Sequence, residues 1–374
     1  MDVKITVVNG KKDLKRFVRF PLELYKDCEN WVPALEGDEY DTFDPKSNGA
    51  YEYSESELYL AWKDGKIAGR VAAIINHRAN EKWDEKTVRF GWLDFIEDEQ
   101  VLKALLDAVA TWGKARGCEK IKGPWGFTDM DKEGLLVEGY EHFCPFTCLY
   151  NYPYYDTLLT RLGFVKDVDW TQRLVEITPE LPPVFRNTGQ IEERFGIHLY
   201  KPTSTKELAD RYGMEIFHMY NETFDPLFEF APLTDRQIKR YLKTYVPILS
   251  PDFVAVCLDD KDKPVGFAFG VPSISRAVKK SGGRLFPLGL FRILRALKKN
   301  DTLEALMIGV KPEFQGLGAA LLMLKHLHEG CVKFGIKRLL LNPQLEHNVK
   351  AQMLFSQFDP KPFMRRRCYT KEID

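Results

Sequence analysis

Apolar and polar residues alternate with a period of two over residues 4–8, which predicts an edge strand, and helical spacing follows over 12–25. Residues 58–62 and 67–75 flank Asp64-Gly65, so a hairpin is predicted there, because Asp-Gly tolerates the left-handed angles of a tight turn. A strand is predicted over 88–95. Residues 99–116 form an amphipathic helix with Leu102, Leu105, Leu106, Val109 and Trp112 on one face, stopped by Gly117. The order returns later in the chain. Residues 206–221 and 235–245 read as helices, and 253–258 with 264–271 as a second hairpin. A strand follows over 302–310, then a helix over 317–334 carrying Leu321, Leu324, Leu327 and Val332. Gly335 ends that helix; a strand at 337–341, a helix at 348–357 and a closing strand at 366–370 complete the pattern.

A proline-rich seam at residues 178–183, followed by Arg186-Asn187-Thr188-Gly189, interrupts the periodicity near the middle. With 374 residues, two domains are expected. We place them at 1–177 and 194–374, with a linker at 178–193 and an insertion at 276–300 in the second. The predicted fold class is α/β (α+β), two tandem units that each carry a mixed, mostly antiparallel sheet flanked by helices.

A hydrophobic share of 44% and a charged share of 29% fit an ordinary soluble globular protein. Net charge is zero, which argues against nucleic acid as a partner. Seven cysteines occur without C-x-x-C spacing. Cys144 and Cys148, with His142 nearby, have no second ligand pair in sequence, so reduced thiols and no metal are expected. The first residues lack a charged n-region and apolar core, and no apolar run of about 18 residues is present. A cytoplasmic protein is expected.

Residues 309–322 read GVKPEFQGLGAALL. An apolar strand passes through a nearly side-chain-free corner into a helix. Glycines admit close approach to backbone, and the first N–H groups of a helix have no internal partner, so this corner suits an anion. The motif resembles the [Q/R]-x-x-G-x-[G/A] signature of the GNAT N-acyltransferase superfamily, matched by Gln315, Gly318 and Ala320. Asn348, Ala351, Leu354 and Phe355 look like the family's second motif. Phe20-Pro-Leu-Glu-Leu-Tyr25, Asn30-Trp-Val-Pro33, Gly69-Arg-Val-Ala-Ala73, the run from Gly123 to Glu141 and Asn151-Tyr-Pro-Tyr-Tyr155 resemble a bacterial double-GNAT family. Some of its members are implicated in N-acylating long-chain sphingoid bases. The resemblance implies acyl-CoA, acetyl-CoA or longer, as co-substrate. It implies contacts from Ile308 and Val310 on the strand, from Gln315, Gly316, Leu317, Gly318, Ala319 and Ala320 at the corner, and from Asn348 and Phe355.

The two halves differ in charge at this corner. The first half reads Phe95-Ile-Glu-Asp-Glu-Gln100, with three carboxylates and no glycine, which would repel a pyrophosphate by several kcal/mol at close range (roughly, at low effective dielectric). Coenzyme A is therefore assigned to the second half. An amine must lose a proton before it attacks a thioester, and a buried carboxylate can take it. Glu304 is the first candidate base, eleven residues before Gln315, where histone-type members of the superfamily carry theirs. The competing reading of Glu304 is a solvated strand residue. Glu346 is the second candidate, with His347 as a relay. Where many superfamily members place a tyrosine to protonate the thiolate, this chain has Phe355; Tyr369 is a candidate replacement.

From residue 276 to 299 there are eight Lys or Arg and no Asp or Glu. On a helix, Leu290, Phe291, Ile293, Leu294 and Leu297 share one side and Arg292, Arg295 and Lys299 the other. Such a helix suits a membrane interface or a stripe packed on the protein. Together with what the resemblance implies, this makes a small-molecule or lipid amine the expected acceptor, with contact of residues 284–299 to the inner membrane face as one expectation. The competing function classes are a tRNA-dependent aminoacyltransferase and a non-catalytic acyl-CoA-binding protein.

Overall fold

The computed structural model describes residues 2–186 and 188–373. In chain order the elements are β1 Lys4–Val7, α1 Gly10–Leu24, α2 Glu36–Thr42, β2 Ser54–Lys63, β3 Lys66–Asn76, α3 His77–Trp83, β4 Thr87–Phe95, α4 Glu99–Lys114, β5 Lys120–Gly123, β6 Leu135–Glu138, α5 Tyr154–Arg161 and β7 Val165–Glu176. They continue as α6 Gly189–Phe195, β8 His198–Tyr200, α7 Thr205–Phe224, α8 Asp235–Tyr245, β9 Val254–Leu258, β10 Pro264–Pro272, α9 Ser275–Lys280, α10 Gly289–Lys298, β11 Thr302–Val310, α11 Ala319–Phe334, β12 Arg338–Leu340, β13 Gln344–Leu345, α12 Val349–Leu354 and β14 Lys361–Glu372. No helix among the described residues is long and apolar enough to cross a membrane.

The chain forms two compact units, neither of them one uninterrupted stretch. The first comprises Met1–Thr171, Ser275–Arg292 and Met364–Asp374; the second comprises Gln172–Ile274 and Ile293–Phe363.

In the first unit β1, β2, β3 and β4 pair antiparallel in order, and β4 pairs parallel with β5. The C-terminal strand joins this sheet, since β14 pairs antiparallel with β5, Tyr369 facing Gly123. Alternation along the strands builds two faces. Ala61, Ala73, Ile75 and Phe90 pack with Val101, Leu102, Leu105 and Val109 of α4. Their neighbours Leu60, Ala72 and Ile74 pack with Phe17 and Val18 of α1.

In the second unit β8, β9, β10 and β11 pair antiparallel, β11 pairs parallel with β12, and β12 pairs antiparallel with Leu174–Glu176 of β7. Met323, Leu324 and Leu327 of α11 pack with Ala255, Cys257, Val265, Ala268 and Leu303. The strand–helix order predicted from periodicity is thus present twice, each unit holding a mixed, mostly antiparallel set of strands flanked by helices.

Candidate functional site

β11 is bonded to β10 along most of its length, but to β12 only through Thr302, Leu303 and Glu304, opposite Arg338, Leu339 and Leu340. From Ala305 onward that edge has no backbone partner among the described residues. Ala305, Leu306, Met307 and Ile308 are only half-buried, although they lie on an inner strand of the sheet. The register against β10 slips by one residue between Ala305 and Met307, so Leu306 is a bulge that bends the strand where it loses β12. Unpaired N–H and C=O groups on a strand edge are a template for another extended, amide-bearing chain.

The open edge leads into the glycine corner. Residues Pro312–Phe314 make one 3-10 turn, Gln315 is extended, and Gly318 stands at the N-cap of α11. The two glycines are needed for different reasons. Gly316 has φ +79°, which disfavours other residues, and a Cβ there would meet nothing within 4 Å. Gly318 has φ +99°, and a Cβ there would lie 2.6 Å from Cδ1 of Ile191 on α6. No side chain caps α11. The N–H groups of Gly316, Gly318, Ala319 and Ala320 have no acceptor among the described residues. Nearby, Gln315 Nε2 donates to Val310 O at 3.2 Å, and Lys350 Nζ of α12 donates to Gln315 Oε1 at 3.3 Å. An uncapped helix N-terminus, an exposed glycine and a lysine together suit a phosphate group.

Glu304 sits where β11 and β12 separate. It is 3% exposed, which removes the reading of a solvated strand residue. Ser273 Oγ donates to Glu304 Oε1 at 2.5 Å. Ser273 is held in turn: its N–H donates to Thr302 O at 2.9 Å, and its carbonyl accepts from Asn300 Nδ2 at 2.6 Å. The hydroxyl therefore reaches the carboxylate from a fixed backbone.

The other predicted residues divide. Glu346 is half-buried and lies 3.6 Å from His347, which is exposed. Asn348 caps α12 by accepting from Ala351 N at 3.1 Å. Leu317 packs at the margin of the second unit's core. Ala319 is buried there, which leaves its N–H as the group facing the corner. Phe355 is buried in the same core at the end of α12. Tyr369 belongs to the core of the first unit, where its hydroxyl donates to Asp156. Its phenol is already spent, and burial followed by the Asp156 carboxylate pushes its pKa far up. Sequence reasoning missed Ser273, Asn300, Lys350 and Ile191. Only Lys350 had a usable signal, a lysine beside the candidate Asn348 at a predicted helix start.

The first unit repeats the same strand geometry and closes it. β4 pairs with β5 at Thr87, Val88 and Arg89 and then separates. Arg89 holds the third paired position, as Glu304 does on β11. Here the chain fills its own gap. Trp125 N donates to Phe90 O at 2.9 Å, and Phe127 O accepts from Asn76 Nδ2 at 2.8 Å. A Cβ on Gly91 would lie 2.5 Å from Trp125 O. The following helix is also occupied: Asp98 Oδ1 accepts from Gln100 N at 2.9 Å and Val101 N at 3.3 Å, and Asp98 pairs with Lys63. Burial opposes the charge on Asp98, but Lys63 and the helix N–H groups outweigh it and hold the carboxyl below its ordinary range.

Cys144 and Cys148 are buried, and Cys144 Sγ donates to the carbonyl of Pro145 at 3.4 Å. Among the described residues no group of three or more His, Cys, Asp or Glu is arranged to hold a metal ion.

Comparison with known proteins agrees with this geometry. Residues 214–359, which contain β11, the glycine corner, α11 and α12, match the acetyltransferase (GNAT) family. Protein YghO of Escherichia coli K12 is 28% identical over 374 residues, covering 97% of this chain and 94% of its own. The bacterial ceramide synthase of Caulobacter vibrioides is 23% identical over 380 residues, covering 100% of this chain and 98% of its own. Among solved structures, a tandem GNAT protein from the clavulanic acid biosynthesis pathway superposes with a TM-score of 0.58 at 10% identity, over 100% of this chain and 99% of that one. A probable N-acyltransferase from Enterococcus faecalis gives 0.52 at 8% identity, over 100% and 73%. Those two likenesses concern fold. The family implies acyl-CoA as co-substrate. The acetyltransferase (GNAT) match over residues 214–359 and the tandem GNAT fold along the whole chain mark an enzyme of the acyltransferase class.

Proposed function

We propose that this enzyme transfers a long acyl chain from coenzyme A to the primary amine of a lipid-like acceptor, and that the transfer takes place in the second unit. The observation that carries the location is the edge of β11, open from Ala305 to Val310 and continuous with the uncapped N-terminus of α11. The residues present fit acyl-CoA. The free edge at Ile308 and Val310 suits the amides of the pantetheine arm. The N–H groups of Gly316, Gly318, Ala319 and Ala320, with Gln315 and Lys350, suit the pyrophosphate. Asn348 supports this set by starting α12, which presents Lys350.

In this reading Glu304 is the general base. It takes the proton of the attacking ammonium, and the Ser273 hydroxyl holds the carboxylate in place. The neutral amine then forms the amide bond as the carbon–sulfur bond breaks. A thiolate leaves readily, since a thiol has a pKa of about 8.5, so Phe355 in the position of an acid is no obstacle. The proton lost by the amine balances the one gained by the thiolate. Glu346 is the alternative base.

The acceptor class is supported by the Caulobacter relative, a bacterial ceramide synthase aligned along all of this chain. The test is a panel of acyl-CoAs of rising length against sphingoid bases, amino acids and polyamines. Each buried methylene contributes about 0.8 kcal/mol, so a groove for a long chain discriminates several-fold per carbon. Best turnover with a long-chain acyl-CoA and a sphingoid base is expected. Best turnover with acetyl-CoA and a polar amine would overturn the lipid reading and leave the enzyme class intact.

A further inference from the structure

Residues 284–299 leave large apolar side chains in solvent on a mount fixed by hydrogen bonds. The mount is α9 and the turn after it. Lys279 Nζ donates to the carbonyls of Cys28 and Trp31 at 2.7 and 2.9 Å. Ser275 Oγ accepts from Phe146 N at 2.7 Å, and Gly283 O accepts from Glu36 N at 2.9 Å. The chain then folds back sharply: Leu290 N donates to Leu285 O at 2.7 Å, and a Cβ on Gly289 would lie 1.8 Å from Arg284 O. The tip of this turn carries Phe286, 75% exposed, and Leu288, 55% exposed.

α10 continues the surface. The sequence pattern puts Leu290, Phe291, Ile293, Leu294 and Leu297 on one side; the structure splits them. Gly289 and Ile293 turn inward, while Leu290, Phe291 and Leu294 stay out, Phe291 at 66%. Packing on the protein therefore accounts for only part of the apolar stripe. On the outward side the apolar groups adjoin Arg295 and Lys298, and Lys299 follows; none of the three has an ion-pair partner among the described residues. Glu36 is the acid that meets the segment, 3.6 Å from Arg284.

We propose that this surface docks on a bilayer carrying anionic headgroups, with Phe286, Leu288, Phe291 and Leu294 entering the interface and Arg295, Lys298 and Lys299 meeting the headgroups. Charge complementarity selects this occupant. The exposed Arg295, Lys298 and Lys299, in a stretch from 276 to 299 without one acid, match an anionic surface, and exposed aromatic and leucine side chains at the turn match the acyl boundary. The inference uses no assumption about the acceptor, and docking is read without acyl transfer, so either reading can fail while the other stands.

The test is co-sedimentation of the full chain with vesicles of phosphatidylcholine, with and without phosphatidylglycerol. Binding to the anionic vesicles is expected, at least about tenfold weaker without phosphatidylglycerol or at high salt. Phe286→Ser with Phe291→Ser, and separately Arg295→Glu with Lys298→Glu, should each weaken it by about tenfold or more. All of these side chains are exposed, so the thermal melting point serves as the control and should not move. No vesicle binding, or binding that neither pair of substitutions changes, overturns the proposal. So does a dimer that the phenylalanine substitutions dissolve in the absence of vesicle binding, since the surface would then be a contact between copies.

Discussion

The N-termini of α4 and α11 follow the same kind of strand in the same order of elements, and they have opposite fates. At α4 the Asp98 carboxylate takes the first N–H groups, and residues 124–127 occupy the space where β4 and β5 part. At α11 the cap is Gly318, and among the described residues the first N–H groups have no acceptor and β11 keeps an open edge. In one unit the helix end and the strand edge are satisfied by the unit's own groups. In the other they are left to a partner from outside, at the cost of an uncapped helix and a half-buried inner strand. The proposed acyl-CoA site rests on that difference.

The largest effect should come from the two equivalent strand positions. Glu304→Gln is expected to lower kcat roughly a hundredfold with little change in the KM for acyl-CoA, and the deficit should shrink at high pH as more amine is neutral. Arg89→Gln, at the matching place in the first unit, should leave kcat within about twofold per unit of surviving folded protein. A Glu304→Gln enzyme with a normal pH profile would move the role to Glu346. Next comes binding. Gln315→Glu places charge at the corner without steric change, and calorimetry should show acyl-CoA affinity falling about tenfold, or ~1.4 kcal/mol. Gly318→Ala should do at least as much, because its Cβ has no room beside Ile191. Asp98→Ala should leave acyl-CoA affinity untouched and cost about 1 kcal/mol of stability in urea unfolding. The carboxyl is held below its ordinary value, so its stabilisation is complete above about pH 4 and disappears as pH falls through the folded value. The gap between Asp98→Ala and wild type should close in that direction. Smallest of all, Lys350→Ala should weaken acyl-CoA binding a few-fold, about 0.5–1 kcal/mol, and the difference should vanish at high salt.

Local signals in the sequence were enough for most elements and for the glycine corner. Asp-Gly at a turn, leucines at helical spacing and Gly335 after α11 each act through the nearest residues, so they are visible in one dimension. The carboxylates at 97–99 likewise announced an occupied helix end, and Asp98 is the one that caps. What stayed hidden depends on distant segments. Nothing near Trp125 says that its N–H will close β4, and nothing near Ser273 says that its hydroxyl will meet Glu304. Periodicity made α10 amphipathic but could not say which part of its stripe would be covered. That outcome depends on the mount of α9, whose partners lie about residues 28–36 and 146. Tyr369 is a candidate acid from sequence; Asp156 claims its hydroxyl through a contact 213 residues away.

The first unit's sheet takes in β14, the last strand of the chain, beside β5, and the unit also takes in residues 275–292. During synthesis the first unit therefore cannot finish while the ribosome is still making the second. One edge of β5, with Ile121 and Gly123, must wait open through some 240 further residues (roughly, at a few to twenty residues per second, tens of seconds) before Tyr369 emerges to cover it. A gene cut at the proline-rich seam should accordingly yield an amino-terminal fragment that aggregates. The two halves of this protein are made in sequence but completed together.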